Sequence, residues 1–136
     1  MSSKSGLFVL SPCLRAMPPC NGDRILVLKR NWLDLVLSGD KTMELRGKRL
    51  KSGRCFLGWH GHIYASADLG EALEIHSVEQ FVRLQDQHCV RDQGPSRLPY
   101  KRTFGLPLLN MQHVIPPIKF RHPKGAVGIV KYNAQS

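Results

Sequence analysis

Hydrophobic and polar positions follow two different periods along this chain, and turn residues separate the segments that they define. Residues 24–29 are rich in Ile, Val and Leu and predict a strand. Asn31 is the predicted N-cap of a helix over residues 31–37, and Gly39 follows at the point where that helix should end. The opening third of the chain therefore predicts a strand followed by a short helix.

A second helix is predicted to begin at residues 77–80, because they read Ser-Val-Glu-Gln and have the spacing of a capping box. It should run to about Val90. Its inward side chains should be Val78, Phe81, Val82 and Cys89. Further strands are expected over residues 42–46, 54–62, 64–75, 104–114 and 126–132. Many short strands with two helices predict an α+β, mostly β fold, in which the helices cover the openings of a small barrel.

The strand over residues 42–46 carries both signs of charge on one face. Met43 and Leu45 should point into the core. The opposite face holds Thr42, Glu44 and Arg46. An ordinary solvent-facing strand alternates in the same way, so two interpretations stay open: a polar surface, or a functional cleft that Lys41 enters from the preceding turn.

The segment over residues 64–75 predicts a buried carboxylate. If Leu69, Leu73 and Ile75 all face the core of a continuous strand, Glu71 shares their side. A carboxylate inside a core is costly unless a cation pairs with it, and the natural partners are Lys41 and Arg46. The alternative is a bulge near Gly70 that turns Glu71 towards solvent.

Gly39, Lys41, Glu44 and Arg46 stand in the pattern Gly-x-Lys-x-x-Glu-x-Arg, which resembles the signature of the ASCH family in the PUA-like superfamily. The Pro-Pro pair at 116–117 and residues 122–127 resemble the closing hairpin of that family. The resemblance implies a PUA-like β-barrel of about five to seven strands with two covering helices. It also implies a single ASCH domain over residues 23–136, preceded by an N-terminal extension over residues 1–22.

Charge points to a polyanionic partner. The 136 residues suit one domain, and twenty Lys and Arg against ten Asp and Glu give a formal charge of +10. Seven basic residues and no acidic one follow Asp92, and Glu44 is surrounded by six basic residues in the range 41–54. Such asymmetry favours nucleic acid, although basic surface also serves solubility. The resemblance favours RNA, single-stranded or structured, over DNA. The basic residues expected to hold it are Lys41, Arg46, Lys48, Arg49, Lys51, Arg54, Lys119, Arg121 and Lys124.

The same resemblance offers an enzymatic alternative. ASCH amidohydrolases that act on acetylated cytidine use a lysine, a hydroxyl residue and a glutamate, and some ASCH proteins are associated with ribonuclease activity. Lys41 and Glu71 match two of those positions. Glu44 stands where the hydroxyl residue would be, and the nearby Thr42 is not at the matching position. The candidate catalytic residues are therefore Lys41, Glu44 and Glu71, for a hydrolase of RNA or of an acetylated cytidine nucleoside.

A third alternative is an adaptor subunit that docks through its basic surface in a ribonucleoprotein or a transcriptional coactivator complex. In the RNA-binding interpretation, aromatic side chains would stack on a base, and Trp59, Tyr100 and Phe104 are the candidates. Each of them is also a plausible core residue. The sequence alone does not choose among the three functions.

Cys13, Cys20, Cys55 and Cys89 have neither zinc-ligand spacing nor the density of a disulfide framework, so free thiols in a reducing compartment are expected. His60 and His62 share one side of a strand but have no third ligand nearby, so we expect no metal and no cofactor. No stretch reaches the ~20 apolar residues of a membrane span. A monomeric intracellular protein, cytoplasmic or nuclear, is expected, with organelle targeting by residues 1–22 left open.

Overall fold

The computed structural model describes residues 17–91, 97–126 and 128–134. Seven strands and three helices lie within these ranges. In chain order they are β1 (Arg24–Val27), α1 (Arg30–Leu37), β2 (Met43–Arg46), β3 (Gly53–Trp59), β4 (His62–Leu69), β5 (Leu73–Ile75), α2 (Val78–Arg83), α3 (Gln85–His88), β6 (Thr103–Lys119) and β7 (Ile129–Lys131).

The seven strands form one curled, half-barrel sheet in the order β2-β6-β4-β3-β1-β7, and β5 pairs with β6 beside this path. The pairing of β1 with β3 is parallel, and the other pairings are antiparallel. The predicted α+β, mostly β architecture is confirmed. Strands β2 and β7 are the two ends of the sheet, so the opening of the half-barrel lies between them.

The central strands are buried on both faces. Ile25 and Leu26 are neighbours on β1, so their side chains point to opposite faces of the sheet, and both are fully buried. Ile25 packs in a cluster with Phe56 of β3. Leu26 packs in another cluster that contains Leu33 of α1. Helix α1 therefore covers one face of the sheet. Its packing fixes the position of the segment that follows Leu37 and leads to β2.

The first helix begins one residue earlier than predicted. Its N-cap is Lys29, whose side chain makes no capping hydrogen bond, and the prediction that Asn31 caps it is wrong. Arg30 at the first helical position instead pairs with Asp34, at 3.1 Å from Nε to Oδ1. Gly39 does end the helix: its φ of 89° lies in the left-handed region that favours glycine.

The second predicted helix is divided in two. Ser77 Oγ accepts a hydrogen bond from the Gln80 backbone N–H, as the capping-box spacing predicts. The chain then turns at Leu84, whose φ of −96° and ψ of 6° separate α2 from α3. Phe81 is buried as expected, but Val82 is 51% exposed. The break rotates the following residues and brings His88 into the core.

The prediction that Glu71 faces the core is wrong. The predicted long strand is interrupted after Leu69, and pairing resumes at Leu73, which is 41% exposed. Gly70 lies so close to β6 that a Cβ there would be 3.0 Å from the Pro107 Cβ, and its N–H donates to the Pro107 carbonyl. Because the ladder breaks at Gly70, Glu71 turns to solvent. It therefore partners neither Lys41 nor Arg46.

The start of the described chain is tied to its end. Gly22 N–H donates to the Tyr132 carbonyl, and Tyr132 N–H donates to the Asp23 carbonyl. The boundary between an extension and a domain at residue 22 stays a prediction, because residues 1–16 lie outside the described residues. Within the described ranges, no helix is long and apolar enough to cross a membrane.

Candidate nucleotide-binding cavity

Lys41, Glu44 and Arg46 of the signature meet at the opening of the half-barrel. The left-handed turn at Gly39 sends the chain from α1 back towards β2, and Lys41 enters the protein between them with only 2% of its surface exposed. Glu44, on β2, is 5% exposed. Two such buried charges exclude the interpretation of this strand as an ordinary solvent-facing face.

The Lys41 ammonium is held on three sides. Its Nζ donates to the His88 carbonyl at 2.5 Å and lies 3.5 Å from Glu44 Oε1. It also lies 4.8 Å from the centre of the Trp32 ring, a cation–π distance. Trp32 is on α1 and His88 is the last residue of α3, so both helices contribute to the position of the lysine.

Arg46 connects the two sides of the opening. Its Nε and Nη2 lie 2.9 and 2.8 Å from Glu44 Oε2, and Nη2 also donates to the Val27 carbonyl at the end of β1, at 2.9 Å. Strand β2 has no backbone pairing with β1 or β7. A side chain therefore spans the gap where a backbone ladder would close a full barrel, and Glu44 fixes its orientation.

The electrostatics leave a positive excess at this point. Burial lowers the pKa of the Lys41 ammonium below its ordinary value of 10.5, although the neighbouring Glu44 carboxylate acts to raise it. One carboxylate thus serves two cations, and its attraction does not fully offset the desolvation of Lys41. A ligand that brought an acceptor atom or a negative charge would offset the remaining desolvation cost of Lys41.

These three side chains line a cavity of about 590 Å³. Three aromatic side chains, Trp32, Trp59 and Tyr100, contribute to its walls. The remaining lining residues are Val27, Leu28, Lys29, Leu45, Val90, Pro99, His122, Ala126 and Gly128. Apolar and aromatic walls with a few converging polar groups are typical of small-molecule and cofactor sites, and the volume suits a nucleoside or nucleotide.

Two glycines shape the cavity rim. A Cβ at Gly47 would lie 3.1 Å from Tyr100 Cδ1, so the ring packs directly over the chain that leaves β2. A Cβ at Gly128 would lie 3.8 Å from Arg46 Nη1. The Nη1 group makes no hydrogen bond to another described residue, so it is the free donor edge of a guanidinium that Glu44 and Val27 hold in place.

Exposed cations follow the lining residues closely in the chain. Lys29 lines the cavity itself, Lys48 lies two residues after Arg46, Lys101 follows Tyr100, and Lys124 lies between His122 and Ala126. Glu44 is the only acidic side chain among the described residues that line the cavity. Lys29 therefore adds a third cation to the lining, beside Lys41 and Arg46.

Other predicted nucleic-acid-binding residues lie elsewhere. Lys51 and Arg54 are at the start of β3, whereas Trp59 lines the cavity at the other end of that strand, ~16 Å away at the usual rise per residue. Arg54 stacks over Phe56 and donates to the Met17 carbonyl. The structure thus does not bring Lys51 and Arg54 to the cavity that contains Lys41 and Arg46.

Arg49, Lys119 and Arg121 are exposed but do not line the cavity. Arg49 lies over the Phe104 ring and donates to the Ala72 carbonyl. Phe104 itself is 2% exposed and packs in the core, so it is not available to stack on a base. Of the three aromatic candidates, Trp59 and Tyr100 are at the site.

The geometry required for acetylcytidine hydrolysis is incomplete. Glu71 is exposed and does not line the cavity. Thr42 is also exposed, and its backbone N–H and carbonyl bond to Gln87 and Leu108. Among the described lining residues there is no Ser, Thr or Cys that would supply a hydroxyl or thiol nucleophile.

Several contributors to the site were not predicted. They are Trp32, His88, His122 and the Val27 carbonyl. Main-chain carbonyls have no sequence signal, because every residue type carries one. In the described ranges no cluster of three or more His, Cys, Asp or Glu residues that could hold a metal is found. Cys20, Cys55 and Cys89 are free thiols, and Cys13 lies outside the described residues.

No protein-family model matches the sequence, and no curated protein sequence matches it. The crystal structure of ASCH from Zymomonas mobilis superposes with a TM-score of 0.63 at 16% identity, covering 84% of this chain and 90% of that chain. Structures of two mutants of that protein have the same TM-score, at 15% and 14% identity, covering 87% and 84% of this chain and 93% and 92% of theirs. The chain therefore has the fold of an ASCH domain.

Proposed function

We propose that the protein is an RNA-binding module that takes one unstacked nucleotide of a single strand into the cavity at the opening of its half-barrel. The observation that carries the proposal is the guanidinium of Arg46, which is fixed by Glu44 and Val27 and whose Nη1 makes no hydrogen bond to another described residue. A fixed guanidinium edge is suited to the acceptor atoms of a base or a phosphate.

The walls support a base rather than a bare anion. Trp59 is partly buried and Tyr100 is 44% exposed where they line the cavity, and aromatic side chains in such positions stack on unpaired bases. Stacking contributes ~1 to 3 kcal/mol per base and tolerates any sequence. The positive excess at Lys41 and Arg46 then adds hydrogen-bond donors to base or phosphate oxygens at the floor.

The rim supports a strand rather than a free nucleoside. Lys29 is exposed and lines the cavity. The exposed Lys48, Lys101 and Lys124 lie within two residues of lining residues in the chain, so they are the candidates to contact the phosphates on either side of a bound nucleotide. Phosphate contacts supply sequence-independent affinity through counterion release. The formal charge of +10 has the sign that this interaction needs.

The test is fluorescence anisotropy of a labelled single-stranded RNA, titrated over a range of salt concentrations. The logarithmic slope should correspond to several phosphates at about 0.7 per contact. Arg46→Met should weaken binding about tenfold or more, whereas Arg54→Met, with the same change of charge at the far end of β3, should have a much smaller effect. No binding at low salt, or equal losses for both variants, would contradict the proposal.

A hydrolase is the second candidate, because burial lowers the pKa of Lys41 below its ordinary value, which is the direction that a lysine acting as a general base requires. The exposed positions of Thr42 and Glu71 count against it. Acetylated cytidine and single-stranded RNA are the substrates to test. Release of acetate or cleavage of RNA that Lys41→Met abolishes would make this candidate the leading one.

A further inference from the structure

His88 is fully buried, and both ring nitrogens have a main-chain partner. Nε2 lies 2.9 Å from the Phe81 carbonyl, and Nδ1 lies 3.0 Å from the backbone N of Val90. A carbonyl only accepts and an amide N–H only donates, so the ring is neutral with its proton on Nε2. The ring also stacks on Phe81, with centroids 4.4 Å apart and an angle of 25°.

These bonds fix an unusual turn. Cys89 has φ 65° and ψ 14°, in the left-handed region, where residues other than glycine are strained. The Val90 N–H that follows this residue is held by His88 Nδ1. The ring therefore bonds to the chain on the far side of the strained residue and stabilises the turn.

The turn sets the direction of the His88 carbonyl. The N–H of Cys89, in the same peptide unit, donates to the Gln85 carbonyl at 2.8 Å. In a trans peptide the N–H and the C=O point in opposite directions. The His88 carbonyl consequently points away from α3, and it is this oxygen that accepts from Lys41 Nζ at 2.5 Å.

We propose that His88 is the positioning residue for Lys41: its neutral Nε2–H tautomer holds the turn at Cys89, which directs the His88 carbonyl at the Lys41 ammonium on the cavity floor. This inference deepens the proposed function and rests on it for the effect on RNA affinity. Its effect on Lys41 is independent of any ligand. Protonation of His88 at Nδ1 would remove the acceptor of the Val90 N–H and release the turn.

The charged surroundings of the ring favour the neutral form. Burial lowers the pKa of His88 below its ordinary value of 6.5, and Lys41, before β2, and Arg91, after α3, lower it further. The Phe81 carbonyl of α2 acts in the opposite direction. The folded-state pKa of His88 lies below the unfolded value of 6.5. The ring therefore stays neutral at neutral pH and protonates in the folded protein only when the pH falls through this lower pKa.

The test compares His88→Phe, which removes both ring hydrogen bonds and keeps an aromatic ring, with His88→Asn, whose side-chain oxygen replaces Nδ1 as acceptor and does not titrate. His76→Asn, at an exposed histidine, is the control. The first readout is acetylation of Lys41 by a small reagent, followed by mass spectrometry of the peptides. The second is affinity for single-stranded RNA as pH is lowered.

In the wild type, Lys41 should stay protected at neutral pH and become reactive on acidification below the pH at which His88 protonates, once reactivity is normalised to an exposed lysine. His88→Phe should expose Lys41 at neutral pH and weaken RNA binding by about tenfold, the size expected for one hydrogen bond to a charged group. His88→Asn should retain most of the neutral-pH affinity and lose the acid-dependent decline. His76→Asn should behave as the wild type.

Circular dichroism and thermal melting establish that each variant folds. If His88→Phe does not fold, the pH profile of His88→Asn decides. A protected Lys41 in folded His88→Phe, or the same acid-dependent decline in His88→Asn as in the wild type, would overturn the inference. If the wild type binds no RNA, the proposed function fails, but Lys41 reactivity still tests the role of His88.

Discussion

Glu44 should matter more to stability than Lys41, although they form one buried pair. The carboxylate is 5% exposed and is the partner of two cations, Lys41 at 3.5 Å and Arg46 at 2.8 Å. Removing one partner of a buried ion pair costs ~3 to 5 kcal/mol, because the other charge is left unpaired. The Arg46 side chain is 21% exposed and would still donate to the Val27 carbonyl without Glu44, so Arg46 contributes less than Lys41 to this loss of stability. We therefore expect Glu44→Gln to lose about 3 kcal/mol of unfolding free energy.

Lys41→Met should cost about 1 kcal/mol. It removes a charge that burial already disfavours, and Glu44 keeps Arg46 as a partner. The loss comes from the unsatisfied His88 carbonyl, which lies beside a cavity wide enough for water. Methionine also retains most of the buried stem of lysine. The asymmetry follows from one anion serving two cations.

Urea unfolding at neutral pH measures both variants, with stability taken from the linear extrapolation and compared only where the slope is unchanged. Asp34→Asn is the matched control, since the same carboxylate-to-amide change breaks an exposed pair with Arg30 and should cost ~0.3 to 0.5 kcal/mol. A stability of Glu44→Gln within the range of that control, or a larger loss for Lys41→Met than for Glu44→Gln, would refute the reasoning.

Three further outcomes are expected. Gly47→Val should displace the Tyr100 ring, which a Cβ would approach to 3.1 Å, and should weaken RNA binding in anisotropy titrations more than it lowers the melting temperature; an unchanged affinity would show that Tyr100 does not contact RNA. Alkylation followed by peptide mapping should label exposed Cys20 long before Cys55, because burial raises the pKa of the Cys55 thiol to about 11; equal rates would contradict the described core. Turnover of acetylated cytidine should be absent or slow, because Glu44 replaces the hydroxyl residue beside Lys41 and no Ser or Thr lines the described cavity; release of acetate in a chromatographic assay would contradict this.

The sequence predicted the parts of the fold that depend on side-chain period. Met43 and Leu45 are buried on one face of β2, and Gly39 ends α1 in the left-handed region. The spacing of Lys41, Glu44 and Arg46 placed three charges close together, and the structure gathers them at one cavity. Local patterns were sufficient because these features are set within a few residues.

The errors arose where tertiary contacts override the local pattern. The close approach of Gly70 to Pro107 breaks the ladder. Gly70 itself suggested a bulge as the alternative, but the alternation of residues 64–75 could not choose between a bulge and a continuous strand. The turn at Leu84 divides a helix whose capping was predicted correctly. The partners of Lys41 and Arg46 include main-chain carbonyls of His88 and Val27, which residue types do not encode. Burial of Glu44 depends on the opening between β2 and β7, a property of the assembled sheet.

The most direct test of the central claim is to map where RNA enters the protein. A single-stranded RNA containing thiouridine is photocrosslinked to the protein at low salt, and the modified peptides are identified by mass spectrometry. Crosslinks at Trp59 or Tyr100 that disappear in Arg46→Met but persist in Arg54→Met are the predicted result. Crosslinks confined to residues 51–54, or crosslinks at Trp59 and Tyr100 that Arg46→Met leaves unchanged, would contradict entry of a nucleotide into the cavity.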